Sequence, residues 1–192
     1  MPLALAVLVL AALWRLLAPV APATANFAPL MALTFCSAVY FRDPRLWLAP
    51  LGALVVSDLW LDHYYATTWG YTWNWPSAAV RALCFVAALP LGRFVAARKG
   101  WRTLFGGALS ASLIFYLVTN TDAWLRDPGY PGTWAGWIQA MTLGLPGFPP
   151  TLFFFRQTLL SDLGFTALFA GALELAAFRA GRPSLLGQAD SR

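Results

Sequence analysis

The chain has 192 residues, of which 59% are hydrophobic and 11% are charged, and its formal net charge is +5. A soluble domain carries charge on about a quarter of its residues, so this chain would expose too much apolar surface in water. The composition therefore excludes a soluble domain and indicates an integral membrane protein. Twelve of the thirteen basic residues are Arg at the ends of apolar runs, which is typical of topology determinants and excludes a nucleic-acid partner.

Six apolar segments follow one another along the chain, separated by charged residues, Pro and Gly. They predict six transmembrane helices over Leu3–Leu17, Phe27–Phe41, Leu46–Leu61, Ala78–Ala97, Leu104–Thr119 and Leu152–Phe178. The second segment is short, so we expect its helix to be buried in the bundle. A further apolar stretch, Trp134–Leu145, is too short to span and predicts a re-entrant or interfacial helix before the last span. The fold class is an all-α membrane bundle with one transmembrane domain over residues 1–192, ending in a short cytoplasmic tail over residues 179–192.

The distribution of basic residues predicts the orientation of the bundle. With the N-terminus inside, nine of the thirteen Lys and Arg residues fall on the inner side. We therefore expect both termini in the cytoplasm and the protein in the inner membrane. Ala23-Thr24-Ala25 resembles a signal-peptide cleavage site, but Met1-Pro2 supplies no positive charge, so we expect the first helix to be retained.

Small residues four positions apart indicate where helices approach each other closely. The fourth segment carries Ala88, Gly92 and Ala96 at this spacing. In the sixth segment the same pattern is formed by Ala172, Ala176 and Ala180.

Aromatic residues are distributed unequally between the two predicted ends of the bundle. An interfacial belt would populate both ends, and it explains some of these residues but not the asymmetry. A pocket with aromatic walls beneath the outer loops explains it better. The tryptophans towards the outer end are Trp60, Trp69, Trp73, Trp75, Trp124, Trp134 and Trp137, whereas only Trp47 and Trp101 lie clearly towards the inner end.

Ionisable side chains within apolar helices collect at the same outer end. They cost several kcal/mol at membrane depth unless they are paired or face a polar cavity. We expect Asp58 and Asp162 to face the bundle interior near Arg81 or Arg156. Simple stapling of helices is the alternative for each residue, but together they favour a wet cavity open to the outside.

The remaining reactive side chains give weaker indications. His63, the only histidine, lies in an aromatic region where an interfacial role is more common than a ligand or a base. Cys84 lies one helical turn beyond Arg81, which would favour a thiolate able to contact a soft metal, although buried cysteines usually serve as small apolar residues. Cys36 has no polar neighbour in helical register. The sequence contains no hydrolase, phosphate-loop, metalloprotease or dinucleotide motif, so an enzyme has no positive support.

Several short motifs resemble a known class of transport protein. They are Asn26-Phe27-Ala28-Pro29, Pro50-Leu51-Gly52-Ala53, Ser57-Asp58-Leu59, Val118-Thr119-Asn120, the stretch from Tyr130 to Gly136, and Thr158-Leu159-Leu160-Ser161-Asp162. Together they resemble an uncharacterised six-helix family that is similar to the substrate-binding S-components of energy-coupling-factor vitamin transporters. The resemblance covers about residues 26–174.

This resemblance implies an S-component-like bundle that binds a vitamin-like small molecule beneath its outer loops. The solitary cobalamin transporters of the BtuM type are similar in size, which makes cobalamin or another corrinoid the leading ligand. Cys84 would then contact the cobalt of the ligand, and the protein would have no cofactor of its own. S-components that dock on a shared energising module usually show Ala-x-x-x-Ala in the first helix. Here Ala4, Ala6 and Ala11 lack that spacing, which argues against such a partner.

We therefore expect a membrane protein that binds a small molecule for uptake. The candidate substrate-binding residues are Asn26, Asp58, Trp60, Asp62, His63, Trp73, Arg81, Cys84, Asn120, Asp122, Trp124, Tyr130, Trp134, Arg156 and Asp162. One alternative is an intramembrane enzyme that acts on a lipid or a cofactor through Asp58, Asp62 or Asp162. Another is a membrane subunit that binds a partner protein through its outer face.

Overall fold

The computed structural model describes residues 13–16, 29–70, 74–98, 100–184 and 186. All regular secondary structure in these ranges is helical. Two predicted site residues, Asn26 and Trp73, lie outside them, as do most of the first apolar segment and the end of the predicted tail. The helices whose bounds are described are α1 (Leu30–Tyr40), α2 (Arg45–Trp69), α3 (Trp75–Ala96), α4 (Trp101–Arg126), α5 (Trp134–Met141) and α6 (Thr151–Arg179).

The α1 helix forms the centre of the bundle, although it has only 11 residues. It begins directly after Pro29, which has no backbone N–H to donate to a preceding turn. Every residue from Leu30 to Val39 is buried, and the helix packs against α2, α3, α4 and α6. Burial on all sides explains why the segment is apolar without a polar face. The expectation that this short helix is enclosed by the bundle is confirmed.

Glycines on two neighbouring helices make room for one large side chain of α1. A Cβ atom on Gly92 of α3 would lie 2.6 Å from the Phe35 carbonyl oxygen, and one on Gly107 of α4 would lie 2.6 Å from the Phe35 ring. Phe35 itself is fully buried. The small-residue pattern of the fourth segment is therefore confirmed at Ala88 and Gly92, both of which are buried.

The small-residue pattern of the last segment was wrong as a packing seam. Ala172, Ala176 and Ala180 are exposed, whereas the buried positions of this helix are occupied by other residues. In an alanine-rich helix, alanine occurs on every face, so the four-residue spacing alone does not identify the packed one. The buried positions of α6 are Thr151, Ser161, Asp162, Thr166, Ala170 and Ala177.

Among the described helices, three are long and apolar enough to cross a membrane: α3, α4 and α6. Many of their large apolar side chains, such as Leu83, Phe94 and Leu168, point away from the bundle, as expected for surfaces that face lipid. The six spans predicted from the sequence are not confirmed by the described residues. The 11-residue α1 rises only about 16 Å against a hydrocarbon core of about 30 Å. The 25-residue α2 is long enough, but it includes Arg45, Asp58 and Asp62.

The short helix predicted before the last span is present as α5, with eight residues. The side chain of Thr133 caps its beginning by accepting a hydrogen bond from the Gly136 amide at 3.2 Å. The α5 helix packs against α4 and α6. It leads through residues 142–150, here called the roof loop, into α6.

Candidate functional site

A cavity of about 370 Å³ lies between α4 and α6, beneath the roof loop. It is found at the carboxyl-terminal half of α4 and the first turns of α6, which is the end of the bundle that the sequence assigns to the outside. The described residues that line it are Phe115, Tyr116, Thr119, Asn120, Tyr130, Gly144, Leu145, Phe148, Pro149, Thr151, Phe154, Phe155 and Thr158.

Helical spacing brings these residues to the cavity. Positions four apart lie on one face of a helix, and α4 contributes two such neighbouring pairs, at positions 115 and 119 and at positions 116 and 120. On α6, Phe154 and Thr158 have the same spacing. The rings of Tyr116 and Phe155 stack across the two helices, with centroids 4.3 Å apart. The Tyr116 hydroxyl also donates a hydrogen bond to the Met141 carbonyl at the end of α5.

The roof loop is held in place by its own hydrogen bonds and by a glycine. Gln139 Nε2 donates to the Gly144 carbonyl at 3.0 Å, and the Leu152 amide donates to the Thr142 carbonyl at 3.1 Å. Gly144 has φ = 73°, a left-handed conformation that favours glycine, and a Cβ there would lie 2.9 Å from Thr151 Oγ1. The loop therefore needs glycine at this position in order to lie against the start of α6.

Some polar atoms of the cavity already make hydrogen bonds within the protein, and others do not. Thr119 Oγ1 donates to the Phe115 carbonyl at 2.7 Å, and Asn120 Nδ2 donates to the Tyr116 carbonyl at 2.8 Å. The Asn120 Oδ1 atom accepts no hydrogen bond from the described part of the chain. Burial, followed by the charge of Asp127, raises the pKa of the Tyr130 hydroxyl above its usual value, so this side chain stays neutral at pH 7. The walls thus offer hydrogen-bonding groups without offering charge.

A separate ionic cluster joins α2 and α3 to the described turn at residues 13–16. Arg15 donates a hydrogen bond to Asp58 Oδ1, and Arg81 Nε lies 3.7 Å from Asp58 Oδ2. The expectation that Asp58 turns inward near Arg81 is confirmed. Asp62 lies one turn further along α2, and its buried Oδ2 atom has no hydrogen-bond partner among the described residues. None of these side chains lines the cavity.

Asp122 is fixed between the ends of α3 and α4. Ser77 Oγ donates to its Oδ2 atom at 2.6 Å, and Arg126 Nε donates to its Oδ1 atom at 2.6 Å. Both carboxylate oxygens are therefore satisfied by neighbouring helix residues. This arrangement joins the two helices and leaves Asp122 outside the cavity lining.

Asp162 faces the bundle interior as expected, but its predicted arginine partner was wrong. The side chain is buried between α6, α4 and α1, where Ser112 Oγ donates to Asp162 Oδ2 at 2.6 Å. The carboxylate also faces the Ala32 amide in the first turn of α1, although Oδ1 makes no hydrogen bond of normal geometry within the described ranges. Arg156 is exposed, and its guanidinium lies 5.0 Å from the ring of Phe153. Asp162 and Asp58 therefore belong to different clusters.

None of the outer tryptophans whose side chains the structure describes lines the cavity, which corrects the expectation of a tryptophan-lined pocket. Trp60 and Trp134 are exposed. Trp124 Nε1 instead donates to the Pro131 carbonyl at 2.9 Å, and the Trp134 ring stacks on Trp137 at 4.6 Å. The first contact joins α4 to the loop that follows it, and the second lies within α5. The aromatic walls of the cavity consist of Phe and Tyr.

The remaining predicted positions also lie away from the cavity. His63 is exposed on α2. Cys84 is buried in the apolar core with Phe85 and Ala88. No group of three or more His, Cys, Asp or Glu side chains in the described ranges is arranged to hold a metal ion.

Of the fifteen predicted site residues, the structure brings Asn120 and Tyr130 to the cavity. Sequence reasoning missed most of the others that line it. Their only sequence signal is the pairing of aromatic and hydroxyl residues four apart, Phe115 with Thr119 and Phe154 with Thr158. Such pairs are common in apolar helices, so they become informative only when the two helices face each other.

A family model described as a family of unknown function, DUF6580, matches residues 1–185. The chain belongs to this family. No curated protein and no solved structure matches the chain. Membership of DUF6580 shows relatedness and does not by itself identify a function.

Proposed function

We propose that this DUF6580 protein is a solute-binding membrane protein of the S-component type that serves the uptake of a vitamin-like small molecule. The observation that carries the proposal is the cavity between α4 and α6. Its volume of about 370 Å³ falls within the range of about 300–1,000 Å³ that is usual for ligand pockets. Its walls combine aromatic rings with a few hydroxyl and amide groups, which is also typical of such pockets.

The proposal includes the orientation of the protein in the inner membrane. Six crossings with both termini in the cytoplasm would place the roof loop and the cavity on the outer side, where a solute arrives. The excess of basic residues at the opposite end supports this orientation. A reporter that is active only in the cytoplasm should be active when it is fused after Arg192. Activity of a periplasm-specific reporter at the same position would contradict the orientation.

Cobalamin, the ligand that the sequence resemblance implies, is not favoured by two observations. Cys84, the residue expected to contact cobalt, packs in the apolar core and does not line the cavity. Cobalamin is a corrin macrocycle with a nucleotide side arm, and a cavity of about 370 Å³ is small for it. A smaller vitamin-like molecule suits this site better.

Co-purification tests the proposal without assuming the ligand. The protein is purified in a mild detergent, and small molecules released on denaturation are identified by mass spectrometry. Thr119→Trp places a large ring in the cavity, whereas Leu117→Trp, two residues away on the exposed side of α4, is the matched control. We expect one compound that is enriched with the parent protein and with Leu117→Trp, and absent from Thr119→Trp. Equal small-molecule content in all three preparations would contradict the proposal.

A further inference from the structure

The cavity has a chemical character that restricts what it can hold. None of its thirteen described lining residues carries a charge at neutral pH. Among the charged side chains at this end of the bundle, Asp58 pairs with Arg15 and Arg81, and Asp122 pairs with Arg126. The exposed Arg156 does not line the cavity. A charged group that left water for this cavity would meet no opposite charge among the described residues that line it. The cost of burying an unpaired charge is large, so a charged ligand is strongly disfavoured.

The shape of the ligand is restricted by the aromatic walls. Six of the lining residues are aromatic: Phe115, Tyr116, Tyr130, Phe148, Phe154 and Phe155. Aromatic rings pack best against other planar rings in offset or edge-on arrangements. The stacked pair of Tyr116 and Phe155 already joins the two helices that form the walls. A flat ring system would extend this packing, whereas a flexible aliphatic chain would not.

The hydrogen-bonding groups of the cavity restrict which donors and acceptors a ligand can present at its edge. Thr119 and Asn120 each donate one hydrogen to a carbonyl of their own helix. The atoms that remain towards a ligand include two acceptors, Asn120 Oδ1 and the lone pairs of Thr119 Oγ1, and two donors, the second Asn120 Nδ2 hydrogen and the Tyr130 hydroxyl. A ligand with N–H donors satisfies these acceptors, and a ligand that has only acceptors leaves them unpaired.

We propose that the cavity binds an uncharged, planar, fused-ring heteroaromatic compound that presents N–H donors at one edge. This inference rests on the proposed function and names its substrate class. The proposed ligand is smaller than a corrinoid and, unlike a phosphorylated or carboxylated vitamin, it carries no charge. Asn120 and Thr119 face the donor edge, and Phe155 with Tyr116 packs against the ring.

A matched series of probes tests the substrate class. Quinazoline-2,4-dione is a neutral fused ring with two N–H donors; its 1,3-dimethyl derivative lacks the donors, and its 6-carboxylate carries a charge. Binding to the full-length protein in lipid nanodiscs is measured by equilibrium dialysis. We expect the dione to bind, the dimethyl derivative to bind roughly tenfold more weakly because acceptors are left unpaired, and the carboxylate to bind at least roughly a hundredfold more weakly.

Two variants of α6 connect the binding to the aromatic wall. Phe155→Leu removes a ring that lines the cavity, and Phe153→Leu removes one that is exposed on the other side of the same helix. We expect the dione to bind up to roughly tenfold more weakly to Phe155→Leu and to bind unchanged to Phe153→Leu. Equal losses in both variants would show an effect on the helix as a whole and would overturn the placement of the ring.

The outcomes separate this inference from the proposed function. Absence of binding by the dione, or binding of the carboxylate as tight as that of the dione, overturns the substrate class. If a charged or non-planar compound co-purifies and Thr119→Trp excludes it, the substrate class is wrong and the solute-binding function stands. If the dione binds equally to the parent protein and to Thr119→Trp, its site lies outside this cavity and the inference fails.

Discussion

A single methyl group added between α1 and α3 tests how closely these two helices pack. In Gly92→Ala the new Cβ would lie 2.6 Å from the Phe35 carbonyl oxygen and 2.8 Å from Ala38 Cβ. Both atoms lie at or next to the backbone of the fully enclosed α1 helix, so the overlap with the new Cβ can be relieved only if α1 and α3 move apart. Overpacking of this kind costs about 1–3 kcal/mol, and the better helix propensity of Ala returns about 1 kcal/mol. We expect a net loss of up to about 2 kcal/mol in the free energy of unfolding.

The same chain provides the control. Gly106→Ala changes a helical glycine on α4 that has nothing within 4 Å of the added atom. We expect this variant to be as stable as the parent or more stable by up to about 1 kcal/mol. The assay is unfolding in mixed micelles of increasing dodecyl sulfate content, followed by circular dichroism and tryptophan fluorescence. Equal stability of Gly92→Ala and Gly106→Ala would refute the close contact of α1 with α3.

Two further predictions concern the buried polar contacts. Ser112→Ala leaves the buried Asp162 Oδ2 atom without its donor and should lower the free energy of unfolding by about 1–3 kcal/mol. The control is Ser110→Ala, which should change the free energy of unfolding little, because the exposed Ser110 hydroxyl bonds only to the Gly106 carbonyl. Equal effects of the two variants on unfolding in micelles would contradict the role of Ser112. For the ionic cluster, a double-mutant cycle of Arg15→Gln and Asp58→Asn should show a coupling free energy of about 0.5–3 kcal/mol, and strictly additive effects would show that the pair contributes nothing.

The parts of the fold that the sequence predicted follow from length and from local composition. The burial of α1 followed from an apolar segment that was too short to span, and the contact at Gly92 followed from small residues at helical spacing. The pattern at Ala172 failed because alanine also occurs on the lipid-facing side of α6. Six crossings were predicted from apolar segments, and the described residues show three helices with the length and hydropathy of spans.

The ionic contacts were predictable only in part. Asp58 and Arg81 were expected to meet because unpaired charges are too costly in a membrane. Arg15, the second partner of Asp58, is 43 residues away in sequence, and no local pattern indicates such a contact. Arg156 was one of the two arginines expected near Asp162, but a separation of six residues turns the two side chains about 120° apart on a helix. A buried serine on α4 satisfies the carboxylate instead.

The sequence predicted an aromatic pocket with ionisable side chains at this end of the bundle, whereas the cavity between α4 and α6 is lined largely by other, uncharged residues. The excess of aromatic residues at one end indicated a pocket, and the tryptophans were expected to line it. Trp124 instead donates its indole N–H to a loop carbonyl, that of Pro131, and Trp60 and Trp134 are exposed. The actual walls depend on how α4 faces α6 and on the left-handed turn at Gly144. Both are features of the tertiary structure that periodicity does not report.

The most direct test of the account is the binding stoichiometry of the co-purified ligand, measured by native mass spectrometry of protein released from micelles. The ligand is added back to ligand-depleted parent protein, to Leu117→Trp and to Thr119→Trp. If the cavity between α4 and α6 is the binding site, the parent and Leu117→Trp each take up one molecule per chain and Thr119→Trp takes up none. One molecule per chain in Thr119→Trp, with the affinity of the parent, would contradict the account.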